Sequence, residues 1–435
     1  LKMELNQRII MSGLIFVVFV WATEAMHKSI ACVILLLIFC IFGKTKVYEL
    51  ISFAWSDTIL LIITTTLLSV GIMKTGVVHK YVEKLFKKNS SNIFKLMLLS
   101  YVFGVILVFL IPQAFARVII IGSILNSLLL ANNEKEIKAK QALIFNGFMA
   151  VTMTYMFFNN GDIVLNQAAL KFAGEEVQQA LNFQEWIKLM AVPSFAASMI
   201  VLGLTYLVFK KDLSGFNSDM ISQGSYNNNE LDRSKQRIAI FSMIVIIALW
   251  MTESIHHISP WKVALVGVII MYAVKVLDKS DFKSVNPHFL LFLMTVFSIG
   301  KGLGQAGITE TIFKQLSLLI PDANSSTYIL VIALIVMILH ICIGSSVATM
   351  SVVLPILIPL TKGMGYNAEI ITLMTYIIVN VHFILPFHHA TVMIGTANKY
   401  YPENYMLRIG SIMTIVTFIL LSCIYIPWWH ILKFI

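Results

Sequence analysis

Gly344-Ser345-Ser346-Val347-Ala348-Thr349 interrupts an otherwise almost wholly apolar run from residue 328 to residue 360. About 20 apolar residues suffice to cross a bilayer, and this run is longer. A straight span has no use for a glycine and three hydroxyls placed ahead of Pro355 and Pro359. Two half-length helices meeting at a polar tip, a re-entrant hairpin, account for both the length and the tip. Backbone exposed at such a tip is tolerated at membrane depth only inside protein or against a water-filled cavity. A kinked spanning helix with small residues at a helix contact is the competing reading of this stretch.

The rest of the chain sets the context. Of 435 residues, 58% are hydrophobic and 12% charged, more apolar surface than a soluble domain can hide. The composition specifies an all-α polytopic membrane protein, multi-pass in a cell membrane. The net charge of +10 does not point to nucleic acid, because the basic residues cluster in the loops between apolar runs. Cys32, Cys40, Cys342 and Cys423 lie in apolar segments with neither CxxC nor Cys/His spacing, which suits reduced packing residues and no metal.

The chain reads as two halves in one order. The first, 1–209, has spans near 9–23, 30–42 and 58–71 and an amphipathic surface segment at 77–88. A hairpin at 93–130 with its tip at Pro112-Gln113-Ala114 follows, then a helix broken near 158–162 and a last span at 190–209. A polar linker at 210–236 is expected on the cytoplasmic side. The second half, 237–435, repeats the order, with a surface segment at 308–319, the hairpin at 328–360 and a helix broken near 386–391. Trp250, Thr252, Glu253 and His256 stand in register with Trp21, Thr23, Glu24 and His27. The two glutamates and histidines are read as closing short turns, and Trp428-Trp429 as an interfacial anchor. Five crossings per half, an odd number, make the repeats inverted, with about ten spanning helices, two re-entrant hairpins and two broken helices in all. The excess of Lys and Arg at 80–95, 135–140, 210–237 and 275–283 places those loops inside.

These residues carry a resemblance. Trp21-Ala22-Thr23-Glu24-Ala25, and the second tip followed by Leu354-Pro355-Ile356, resemble signatures of the divalent-anion/sodium symporter family, the dicarboxylate, citrate and sulfate carriers. The resemblance covers nearly the whole chain. It implies a homodimer in the lipid bilayer that moves a small anionic solute by an elevator motion, with Na+ as coupling ion and no other cofactor. The family usually has one further N-terminal span, and without it the family's topology implies an outer N-terminus here. Family tips read Ser-Asn-Thr and supply sodium ligands and substrate hydrogen bonds. Here they read Pro112-Gln113-Ala114 and Ser345-Ser346-Val347, and the family's Gly-Thr-Pro-Pro-Asn breaks are replaced by Asn159-Asn160-Gly161-Asp162 and Pro386-Phe387-His388-His389-Ala390-Thr391.

The candidate site residues follow from those positions. Arg117 either holds an anion bidentately or pairs with Asp162 and caps hairpin carbonyls, and anion contact is the reading adopted. Gln113, Ser345, Ser346, Thr349, His388, His389 and Thr391 join it as substrate-binding candidates. Asn159, Asn160, Gly161, Asp162 and Gly344 are the ion-binding candidates, hard oxygen groups beside glycines that let carbonyls turn inward. Histidine as a residue type ordinarily titrates near neutrality, so His388 and His389 offer coupling to H+ in place of Na+. The pair could equally be structural.

The expected function is secondary active symport of a small anion, a carboxylate, driven by Na+ or H+. A membrane-embedded enzyme acting on a lipid-linked substrate would need a carboxylate pair or an HExxH motif, and the sequence has neither. A channel would need a continuous polar stripe. No P-loop supports primary transport.

Overall fold

The computed structural model describes residues 3–23, 25–89, 92–222, 232–309, 311, 327–362, 367–384 and 388–435. The first half folds as α1 (Leu5–Thr23), α2 (Lys28–Phe42), α3 (Asp57–Lys74), α4 (Val77–Lys88), α5 (Ile93–Leu110), α6 (Ala114–Leu128), α7 (Glu134–Thr154), α8 (Leu165–Ala173) and α9 (Phe183–Val208). The second half has α10 (Arg233–Met251), α11 (Pro260–Ala273), α12 (Pro287–Gln305), α13 (Thr327–Ile343), α14 (Ser346–Lys362), α15 (Ala368–Val381), α16 (Ala390–Ala397) and α17 (Asn404–Leu420). Among the described residues there is no β-strand, only a lone bridge between Leu129 and Ile221 that ties the linker to the end of α6. Six helices are long and apolar enough to cross a bilayer, and the shorter apolar ones include α6, α13, α14 and α15 at the interruptions described below. The protein is an all-α polytopic membrane protein.

Helix starts are set by side chains that accept the first free N–H groups. Asn92, Asn133, Asn182, Asn286 and Asn367 cap α5, α7, α9, α12 and α15 in this way. In α4, Val78, Val82 and Phe86 recur every four residues and are buried, leaving Lys80, Lys84 and Lys88 exposed on the other face. Each apolar side chain so buried contributes about 1.5–3 kcal/mol. Most of the corresponding segment at 308–319, like Glu24, Pro386 and Phe387, lies outside the described residues. The linker holds a short helix, Lys210–Leu213, and α10 already begins at Arg233.

Four interruptions shape the interior. Between α5 and α6 the backbone extends through Ile111, Pro112 and Gln113, where proline withholds an N–H. Between α13 and α14 it turns at Gly344, whose φ of 72° lies in the left-handed region that glycine enters freely. After α7 a single 3-10 turn, Tyr155–Phe157, leads into irregular backbone up to α8. There a Cβ on Gly161 would stand 1.9 Å from the Tyr155 carbonyl oxygen, so only glycine fits. After α15 ends at Val381 the described backbone of 382–384 is irregular, and α16 begins at Ala390.

The halves interlock. α6 packs on α7 of its own half and on α16 of the other, while α14 packs on α15 and on α8. Likewise α2 packs on α12 and α11 on α3. At one end Lys74 of α3 bonds Asp278 at 2.8 Å and Asp281 at 2.6 Å, just ahead of α12. That contact, with the Ser280 hydroxyl, holds the Asp278 carboxyl well below the usual carboxylate range. In α9, Pro193 frees the carbonyl of Leu189, and the buried Trp429 donates its indole N–H to it at 3.1 Å. Trp428 does the same to Lys188 at 2.9 Å, so the tryptophan pair clamps α9 and is not merely an interfacial anchor.

Candidate functional site

A cleft of about 690 Å³ separates α1, α2 and α12 from the interrupted helices. On the side of the interrupted helices four helix starts reach it, Phe115 at the start of α6, Leu165 of α8, Ser346 of α14 and Ala390 of α16, while the starts of α2 and α12, capped by His27 and Asn286, also line it. Each start brings the positive end of a helix dipole, and at α6 and α8 the first N–H groups already face the Asp162 carboxylate. No Asp or Glu lines the cleft among the described residues, whereas Lys28, His27, His288 and His388 do. Such a surface favours anions. The wall facing the helix starts is apolar and aromatic, with Trp21, Phe289 and Phe292. A second cleft of about 780 Å³ lies among Asp57, Lys171, Glu175, Glu253 and His257 and carries charges of both signs.

The candidates from the sequence separate into two groups. Gly344, Ser345, Ser346, His388 and Thr391 line the first cleft. Ser346 donates its hydroxyl to the carbonyls of Val379, at 2.8 Å, and His388, at 3.2 Å, fastening the tip to both sides of the second interruption. Gln113, Arg117, Thr349 and His389 do not line it. The Gln113 amide is spent on Thr66 Oγ1 at 2.6 Å. Thr349 donates to the Ser345 carbonyl at 2.8 Å and lies 3.0 Å from His340 Nδ1. Asn159 lines the second cleft instead.

Arg117 is fully buried, and its Nη2 donates to the Gly161 carbonyl. Its charge is matched by the buried carboxylate of Asp162, which also faces the backbone N–H groups of Ala114, Val164 and Leu165. Of the two readings of Arg117, the geometry has the guanidinium on a backbone carbonyl beside Asp162. The first tip and first interruption are further joined by Ile163 N–H donating to Pro112 O at 3.3 Å.

His389 sits behind Thr391 in a buried chain that crosses between the halves. Its Nδ1 lies 2.6 Å from Thr391 Oγ1 and its Nε2 3.1 Å from the Tyr155 hydroxyl. Tyr155 donates its proton to Asn380 Oδ1, so its oxygen accepts from Nε2–H and leaves Nδ1 to accept from Thr391. A neutral imidazole thus has both nitrogens satisfied. Tyr376 likewise bonds Asn166 Oδ1 across the halves at 2.7 Å.

The profile of the sodium:sulfate symporter transmembrane region matches residues 2–435. The chain belongs to that family. This symporter-family chain is therefore a multi-pass membrane transporter of anions and not an enzyme. Its fold is similar to that in the crystal structure of the Alcanivorax borkumensis YdaH transporter, at 13% identity and a TM-score of 0.52 over 86% of this chain and 85% of that one. No curated protein sequence matches it significantly.

Sequence reasoning missed several residues of the symporter's interior. His340 and His382 pack against each other, ring centroids 5.8 Å apart, and His340 lies 5.3 Å from His388. The available signal was a histidine within each of two apolar runs, which is costly at membrane depth unless it faces other polar groups. Among the described residues no three His, Cys, Asp or Glu side chains are placed to hold a metal. Phe115, Val164 and Leu165 carried no signal, because what they bring to the cleft is backbone and apolar surface.

Proposed function

We propose that this chain is a secondary active symporter of a small carboxylate anion, coupled to Na+ or H+. The observation that carries the reading is the convergence of four helix starts on a cleft without an acid among the described residues. Oriented N–H groups at the starts of α14 and α16 replace the water around a carboxylate, and Ser345 adds a hydroxyl donor. The aromatic patch of Trp21, Phe289 and Phe292 beside these donors suits the carbon part of an organic anion. The same patch belongs to α1 and α12, so the cleft divides a scaffold from the hairpins and broken helices. That division supports an elevator motion in which α6, α8, α14 and α16 move together with the anion. Proton coupling is supported by the chain through His389, Tyr155 and Thr391, and sodium coupling by the family. The competent unit is a homodimer on the resemblance of the chain to its family.

The test is a thermal-stability screen of the purified protein against mono- and dicarboxylates and sulfate, because ligands that bind only the folded state raise its melting temperature by mass action. A carboxylate should stabilise in proportion to its concentration while sulfate at equal ionic strength does not. Stabilisation by sulfate alone reverses the substrate assignment.

A further inference from the structure

The interior holds one full charge pair that the cleft does not use. Arg117 is the fourth residue of α6, entirely buried, with its guanidinium on the Gly161 carbonyl and within the field of the buried Asp162 carboxylate. Its Nε and Nη1 have no hydrogen-bond partner among the described residues. Neither does Asn160 Oδ1, a buried acceptor in the same interruption. Asn160, Gly161 and Asp162 therefore present an amide oxygen, a backbone carbonyl and a carboxylate in succession. Those are hard donors of the kind that hold a small cation. Apart from Asp281, which is bound to Lys74 at the surface, Asp162 is the only buried carboxylate among the described residues.

The second half lacks this charge. The fourth residue of α14, in the place corresponding to Arg117, is Thr349, bonded to His340. The two places thus differ in charge. One has a fixed cation and a carboxylate, the other hydroxyls and imidazoles.

We infer that Arg117 is a tethered cation that occupies the ion position of the first interruption, so that a mobile coupling ion is confined to the second. This rests on the cation-coupled reading above. A guanidinium anchored to α6 neutralises Asp162 and fixes Gly161 in every state of the transport cycle, which a dissociable ion does only when bound. The first interruption then keeps its shape without sodium, and its contribution to the cleft, Val164 and Leu165, is present at any sodium concentration.

Two measurements on the full chain test this, and neither needs the anion. Equilibrium dialysis of the wild-type protein with radioactive sodium should give no more than one sodium per chain, and two per chain overturns the proposal. Arg117→Met should then gain sodium-dependent thermal stabilisation, in sodium chloride against choline chloride. Arg117→Met with Asp162→Asn should lose it, with apparent sodium affinity lower by roughly tenfold or more, as expected when a cation loses a charged ligand. A folded Arg117→Met protein no more sodium-dependent than the double variant also overturns the proposal. If Arg117→Met does not fold, the wild-type stoichiometry still decides. Failure of any anion to stabilise the wild-type protein would count against the transport reading and leave both sodium comparisons readable.

Discussion

Ser345→Ala and Ser346→Ala should fail in different ways, although the residues are adjacent at one hairpin tip. A hydroxyl has one proton to give, and that of Ser346 is shared between two buried carbonyls, Val379 at 2.8 Å and His388 at 3.2 Å. Val379 belongs to the last turn of α15, where carbonyls have no partner within the helix. Its loss on truncation should cost about 1–3 kcal/mol of stability, the range for stranding a buried polar group. Ser345 is half-exposed in the cleft, and its hydroxyl makes no hydrogen bond among the described residues. Ser345→Ala should leave stability within about 0.5 kcal/mol of wild type. If its hydroxyl donates to a bound carboxylate, the lost bond is worth about 1.5–3 kcal/mol, or roughly 10- to 150-fold in Kd. Melting curves without ligand and isothermal titration with the stabilising carboxylate separate the two effects. Wild-type affinity in Ser345→Ala together with a wild-type melt for Ser346→Ala would refute this account of the tip.

Other expectations are narrower. Gly161→Ala should reach or exceed the top of the 1–3 kcal/mol range for overpacking, because the added carbon meets backbone and not a flexible side chain; expression and melting temperature report it. Uptake into proteoliposomes should depend on pH, between about 6 and 8, at least as strongly as on sodium, and a flat pH response with steep sodium dependence removes the histidines from coupling. The Lys74–Asp278 contact cannot produce that pH response: a carboxyl held below its usual range contributes its stability fully above about pH 4 and loses it only as pH falls through the lower, folded value. Cysteines introduced at Ser52 and Ser218 in a cysteine-free background should label from opposite faces of the membrane, and labelling from one face would end the inverted arrangement.

What could be read beforehand was whatever departs from an apolar helix. Pro112, Gly344 and the Asn159–Asp162 cluster are visible as interruptions, because proline, glycine and short polar side chains are the residues that stop helices. The direction in which a long side chain turns is not visible. The sequence favoured an anion as the partner of Arg117 over Asp162 and the hairpin carbonyls, and only the packing of α6 beside the first interruption puts the guanidinium on Gly161. The four helix starts were hidden for a related reason: their chemistry is main-chain N–H, which every residue type shares. His340 and His382 escaped because a lone histidine in an apolar run gains meaning only from neighbours distant in sequence.

The interlock of the halves has a consequence for biosynthesis. α6 is covered by α16, and α8 by α14, so the first half leaves the ribosome before the surface that completes it exists. The roughly 280 residues between Ala114 and Ala397 take on the order of 15–60 s to synthesise at 5–20 residues/s. Throughout that interval the Arg117–Asp162 pair and the first polar tip wait without their cover in a lipid environment hostile to both. A nascent chain of this design depends on the insertion machinery to shelter its first hairpin, and a chain stopped in the linker should be a substrate for membrane quality control.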